Sequence, residues 1–198
     1  MTAPSRSAIV LAGGGSRRMG RDKANLPFGP ETVLQRVVRI ISASVDEVIV
    51  VARQGQRLSF PGRVVWDEVA EEGPVAGLIA GLGATVATSC AVVSCDQPLL
   101  EGALIEMLFS QLQGHDAAIP RVAGFLVPTC AAYRRDVLEA AQAMFQSGER
   151  RLSRLADRID ARILEESDLL IADAGLASFR PCNTLVEYES LLRDAGLA

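Results

Sequence analysis

The stretch Leu11-Ala12-Gly13-Gly14-Gly15-Ser16-Arg17-Arg18-Met19-Gly20-Arg21-Asp22-Lys23 concentrates residue types that bind anions. Three consecutive glycines let backbone N–H groups approach a phosphate or a base with no Cβ in the way. Arg17, Arg18, Arg21 and Lys23 bring four of the chain's 20 basic side chains into this one loop, the cationic density that a triphosphate requires. Neither G-x-x-x-x-G-K-[ST] nor G-x-G-x-x-G can be drawn through it, so it is neither a P-loop nor a dinucleotide fingerprint. The bland alternative is a solvated turn with incidental arginines. The apolar run from Ala8 to Ala12 just before it argues otherwise, because ligands of α/β sheets bind at the carboxyl ends of strands.

A second feature, Ser94-Cys95-Asp96-Gln97-Pro98, sets a carboxylate directly after another apolar run. An aspartate on so rigid a platform can hold Mg²⁺ against substrate phosphates through one or two oxygens. The competing role for Asp96 is a helix N-cap or a turn aspartate. A third carboxylate, Asp67 in Trp66-Asp67-Glu68, also ends a short apolar run, and Glu71-Glu72-Gly73-Pro74-Val75-Ala76-Gly77 follows it. Gly73-Pro74 opens a helix, whose first N–H groups are a contact point for a nucleotide or a carboxylate, although most such helix starts are structural.

The elements that must position these residues read as alternating strands and helices. Strands are predicted over 8–12, 47–52, 64–66, 91–94, 116–120 and 125–133, and helices over 32–43, 74–82, 102–112, 135–146, 151–158 and 185–193. Such βα alternation predicts an α/β fold with a mostly parallel sheet. Short connections and the absence of repeats or linkers predict a single domain over 1–198.

Composition narrows the function. With 49% hydrophobic and 22% charged residues the chain is globular. A net charge of −4 gives no basic surplus for nucleic acid. Four cysteines without C-x-x-C spacing and a single histidine, His115, argue against a zinc site. His115 reads as surface, Tyr133 and Trp66 as core, and the cysteines as small core residues, Cys95 lying near the site. No apolar run has the length of a membrane span, and Met1–Ser7 lacks that of a signal peptide, so the expected location is the cytoplasm.

Taken in order, L-A-G-G-x-S-x-R-M-G-x-D-K, the strand-end aspartate with G-P-x-A-G, and C-D-x-P resemble the molybdenum cofactor guanylyltransferase family. Val127-Pro128-Thr129, Gly148-Glu149-Arg150-Arg151 and Cys182-Asn183-Thr184 extend the match nearly end to end. The resemblance implies a three-layer α/β/α fold of the nucleotide-diphosphosugar transferase type. It also implies transfer of GMP from GTP to the terminal phosphate of molybdopterin-bound molybdenum, with Mg²⁺ as cofactor and release of pyrophosphate. Leu11, Ala12, Gly13 and Gly14 would then hold guanine and ribose, Arg18 and Lys23 the phosphates, Asp67 the nucleoside side and Asp96 the Mg²⁺. Arg150, Arg151 and Asn183 would face the molybdopterin, and molybdoenzyme chaperones are candidate partners. The chain departs from the family at Val51 and Pro181, where the family carries asparagine. A relative with a different acceptor, a cytidylyl- or sugar-phosphate nucleotidyltransferase, and a non-catalytic nucleotide-binding relative therefore stay open. The related cytidylyltransferases carry Ala-Ala-Gly where this chain has Ala12-Gly13-Gly14, a difference that favours the larger purine.

Overall fold

A computed structural model of the chain describes residues 5–13, 22–67 and 73–197. Its main sheet contains β1 (Arg6–Leu11), β4 (Glu47–Arg53), β5 (Arg63–Asp67), β6 (Ser89–Ser94), β7 (Ala117–Val122), β8 (Phe125–Leu126), β9 (Cys130–Arg134) and β10 (Ala161–Leu164). The order across the sheet is β10-β7-β9-β6-β1-β4-β5, with β8 paired to β7. β1, β4, β5 and β6 are mutually parallel, whereas β9 runs antiparallel to both β6 and β7. A separate hairpin, β2 (Pro27–Phe28) with β3 (Glu31–Thr32), turns at Gly29, whose φ of 68° is cheap for glycine.

Among the described residues six α-helices accompany the sheet: α1 (Val33–Ile41), α2 (Pro74–Ala84), α3 (Gly102–Gln111), α4 (Val137–Gln146), α5 (Glu166–Leu169) and α6 (Leu185–Asp194). Thr32 and Gln35 cap α1 reciprocally, which fixes its start one residue later than the apolar spacing alone predicts.

The period of two along a strand divides the core in two. Ala8, Val10, Ala91 and Val93 face Leu34, Val37 and Ile41 of α1 and Leu104, Ile105 and Leu108 of α3. Ile9, Ile49, Val51 and Val92 face Val75, Leu78 and Leu82 of α2 and Val137, Ala141 and Met144 of α4. Helices thus cover both faces, the α/β/α arrangement expected. α2 lies especially close to β1, since a Cβ added to Gly81 would sit 2.4 Å from Ile9 Cγ2 and one on Gly77 3.0 Å from Leu11 Cδ2.

Several sequence expectations need correcting. The single strand predicted over 125–133 is two strands, β8 and β9, because a turn through Pro128 joins Cys130 N–H to the Val127 carbonyl at 3.0 Å. The helix over 151–158 is a 3-10 helix, Leu152–Asp157. Trp66 is not core: it lies on β5, the last strand of the sheet, and is 47% exposed. Tyr133 is fully buried, with its hydroxyl donating to the Pro128 carbonyl at 2.8 Å. All four cysteines are buried and free. The hairpin, β10, α5 and the 3-10 helices Lys23–Asn25 and Ala177–Phe179 are too short to show a period in the sequence. Among the described residues no helix is long and apolar enough to cross a membrane.

Candidate active site

From β1 the chain crosses to β4 on one side, while β6 adds to the other, so the strand order reverses between β1 and β6. A crevice opens at such a switch point, beyond the carboxyl ends of the strands. Leu11 and Ser94 are register partners there, and the ladder continues one step as Cys95 N–H donates to the Leu11 carbonyl at 3.0 Å. Ala12 N–H donates to the Val51 carbonyl at 2.8 Å on the other flank.

Asp96 follows in a turn. The Gln97 side chain folds back to accept Ser94 N–H at 3.3 Å, and the Asp96 carbonyl accepts Cys182 N–H at 2.8 Å. Its carboxylate caps no helix, since α3 begins at Gly102 behind Glu101. The N-cap alternative is thereby removed, and the carboxylate points toward Lys23. Lys23 opens a 3-10 helix whose N-cap, Asp22, accepts Ala24 N–H at 3.1 Å. The Lys23 ammonium donates to Asn183 Oδ1 and stands 3.8 Å from Asp96 Oδ2, the two side chains being 16% and 20% exposed. This is a charged group with part of its surface still open to a ligand.

Asn183 is held in turn by Glu187, whose carboxylate accepts Asn183 N–H at 2.9 Å and Thr184 N–H at 2.8 Å. The Glu187 role is legible in Thr184-x-x-Glu187, a capping box that starts α6. Asn183, grouped with the two arginines by resemblance, thus stands beside Lys23 and Asp96. Burial pushes the neighbouring Cys95 thiol up, and the Cys182 thiol up to about 11, which favours the protonated form of both near neutral pH.

Asp67 ends β5, 6% exposed, with Oδ2 4.0 Å from where a Cβ on Gly77 would lie, beneath the first turn of α2. Gly73, the N-cap of α2, has φ 93° and lies beside the Arg150 carbonyl, 3.6 Å from its added Cβ. The Arg150 guanidinium lies 3.8 Å from the centre of the Phe145 ring and donates to the Phe145 carbonyl at 2.6 Å. Arg151 makes a fork to Glu149 at 3.0 and 2.8 Å, and this pairing holds the Glu149 carboxyl down at about 2. Leu11, Ala12, Lys23, Asp96 and Asn183 are therefore gathered at one switch point, while Asp67 and Arg150 meet the start of α2. Gly13 directly follows Ala12. Gly14 and Arg18 lie outside the described residues, as do Arg17, Arg21, Glu68, Glu71 and Glu72. Val51 is buried against α2, with Cγ1 3.9 Å from the Cβ position of Gly77, and Pro181 is exposed.

The model of the MobA-like NTP transferase domain matches residues 8–163. The chain belongs to this family. It is accordingly a nucleotidyltransferase. A protein of Methanosarcina mazei named a probable molybdenum cofactor guanylyltransferase is 33% identical to it, over 96% of this chain and 91% of that protein. The solved molybdopterin-guanine dinucleotide biosynthesis protein A of Archaeoglobus fulgidus superposes with a TM-score of 0.83 at 24% identity, covering 97% of this chain and all of that one. A Mycobacterium tuberculosis protein solved in complex with manganese shares the fold at a TM-score of 0.66 and 18% identity, covering 97% of this chain and 100% of that one. The MobA-like family model stops short of Asn183, which the fold nonetheless returns to the switch point.

Proposed function

We propose that the protein transfers GMP from GTP to the terminal phosphate of molybdenum-bearing molybdopterin, forming the guanine dinucleotide and releasing pyrophosphate. The observation that carries this reading is the Lys23–Asp96–Asn183 cluster at the β1/β6 switch point, in a chain whose relatives are named guanylyltransferases. Leu11, Ala12, Gly13 and Gly14 bind guanine and ribose, Arg18 and Lys23 the phosphates, and Asp67 the nucleoside side. Arg150 and Arg151 lie toward the acceptor.

The acceptor phosphate is already anionic near neutral pH, so its oxygen attacks the α-phosphorus without a general base. The bond from that phosphorus to the bridging oxygen of the β-phosphate breaks, and pyrophosphate carries the electron pair away. Lys23 neutralises charge as it moves onto the leaving group, and the switch point keeps nucleophile and leaving group in line. The lone histidine precedes β7 at the amino ends of the parallel strands, away from this cluster, where its ring pairs with Asp160 at 3.0 Å.

The donor set fits Mg²⁺, since Asp96 offers a hard oxygen at the rim of the cluster. Among the described residues no group of three or more His, Cys, Asp or Glu could hold a metal by itself, and phosphate oxygens and water would join Asp96 in the shell. A divalent ion is also in keeping with the manganese-bound structural neighbour. Bound there, Mg²⁺ would supply charge stabilisation across the phosphates.

The test supplies purified protein with Mg²⁺, molybdenum-bearing molybdopterin and each of GTP, CTP, UTP and ATP, and measures dinucleotide and pyrophosphate. Product with GTP, lost on chelation and restored by Mg²⁺, is expected. A preference for CTP would make it a cytidylyltransferase instead.

A further inference from the structure

One buried amide ties the end of β1 to the turn that bears Lys23. β4 ends at Arg53, and a tight turn closes as Gln56 N–H donates to the Arg53 carbonyl at 3.1 Å, with Gly55 at φ 77° supplying the left-handed position. The turn sends Gln56 back toward β1, where it is 7% exposed. Its side-chain oxygen accepts Arg53 N–H at 3.2 Å, which sets the orientation of the amide. Nε2 then donates twice: to the Ala12 carbonyl at 3.0 Å and to Asp22 Oδ2 at 2.8 Å.

These bonds join residues of distinct consequence. Ala12 is the last β1-side residue before Gly13, and its own N–H is held by Val51. Asp22 uses its other oxygen to cap the turn that bears Lys23. An unbroken line of hydrogen bonds therefore runs from the Ala12 carbonyl through Gln56 to Asp22, and the Asp22-capped turn presents Lys23 to Asp96 and Asn183. Amide chemistry suits the place: a carboxylate would repel Asp22 and the Ala12 carbonyl, and an apolar group would remove the donor that the buried Ala12 carbonyl and the half-buried Asp22 Oδ2 share.

We infer that Gln56 is a positioning residue that fixes Lys23 relative to the Ala12–Gly13 backbone, and so sets the distance between the phosphate-binding and base-binding ends of the nucleotide. The inference rests on the nucleotide-binding reading proposed above. Gln56 touches neither reacting atoms nor substrate in this scheme.

The test uses the full chain with Gln56→Met, which keeps length and removes the donor, and Gln56→Glu with and without Asp22→Asn. Thermal unfolding identifies the folded variants, and titration with a non-hydrolysable GTP analogue measures affinity. Gln56→Met should weaken binding about 10- to 100-fold, the scale of a lost hydrogen bond to a charged group. Asp22→Asn should restore part of the affinity lost in Gln56→Glu, because an amide again faces a carboxylate. Combining Gln56→Met with Lys23→Ala should cost little beyond Lys23→Ala alone, since the two act through one ammonium. Native affinity in folded Gln56→Met, or full additivity with Lys23→Ala, would overturn the inference. If the wild type binds CTP, UTP or ATP in place of GTP, the base assignment fails and the same comparison is made with that nucleotide. Amide exchange at Ala24, read without ligand, should quicken in Gln56→Met, and unchanged exchange would refute the tie to Asp22 whichever nucleotide binds.

Discussion

The Lys23 ammonium and the Asp96 carboxylate stand 3.8 Å apart, one on a turn after β1 and the other on the turn that ends β6. Two opposite charges so placed, each partly exposed, are where the proposed function would seat a metal-bound phosphate. The pair also separates two kinds of mutant effect.

Asp96→Asn keeps volume and removes charge. The variant should fold as the wild type does, because the backbone carbonyl, not the carboxylate, accepts Cys182 N–H. Turnover should fall by at least about 10²-fold, the scale of losing one preorganised electrostatic group. Steady-state rates at saturating Mg²⁺ check it, and wild-type turnover there would remove Asp96 from the reaction.

Lys23→Ala should weaken GTP binding and slow transfer together, since a cation on the phosphates acts in ground and transition states alike. Titration with a non-hydrolysable GTP analogue and single-turnover rates give the two quantities. An unchanged dissociation constant would place the phosphates away from this lysine.

Two glycines of α2 should respond in opposite directions. Gly81→Ala drives a Cβ to 2.4 Å from buried Ile9 Cγ2 and should cost about 1–3 kcal/mol by overpacking. Gly83→Ala meets nothing within 4 Å and should gain roughly 0.5–1 kcal/mol by stiffening the helix. Urea unfolding of both variants measures the contrast, and equal shifts would mean that α2 does not lie this close to β1.

The Glu149 carboxyl should titrate near 2, held low first by the side-chain hydrogen bond from Arg151 and then by the Arg151 N–H. Its pKa is depressed on folding, so the stability it contributes is present above its ordinary 4.5 and is lost as pH falls toward about 2. Arg151→Ala should return the titration upward, as followed by carboxyl NMR shifts. A value near 4.5 in the wild type would show Arg151 already free for an acceptor.

The carboxyl ends of β1, β5 and β6 are legible because apolar runs stop abruptly just before a glycine or an acidic residue, after Ala12, Trp66 and Cys95. The hairpin, β10, α5 and the 3-10 helices at Lys23–Asn25 and Ala177–Phe179 leave no such trace, and β8 and β9 read as one strand because the run through Val127 and Pro128 is apolar on both sides of its turn. Asp96 and Lys23 were marked by charge set against apolar surroundings. Gln56 carried no mark: a lone glutamine after a strand has no period, charge or spacing, and its role exists only where the fold brings Ala12 and Asp22 to it. Glu187 was readable as a helix cap, while its hold on Asn183, and so on Lys23, was a tertiary fact.

The bond from Lys23 to Asn183 spans 160 positions of chain. On a ribosome adding about 5–20 residues per second, the lysine emerges roughly 10–30 s before the asparagine that receives it. The cluster at the switch point is therefore completed by one of the last segments of the chain to be synthesised.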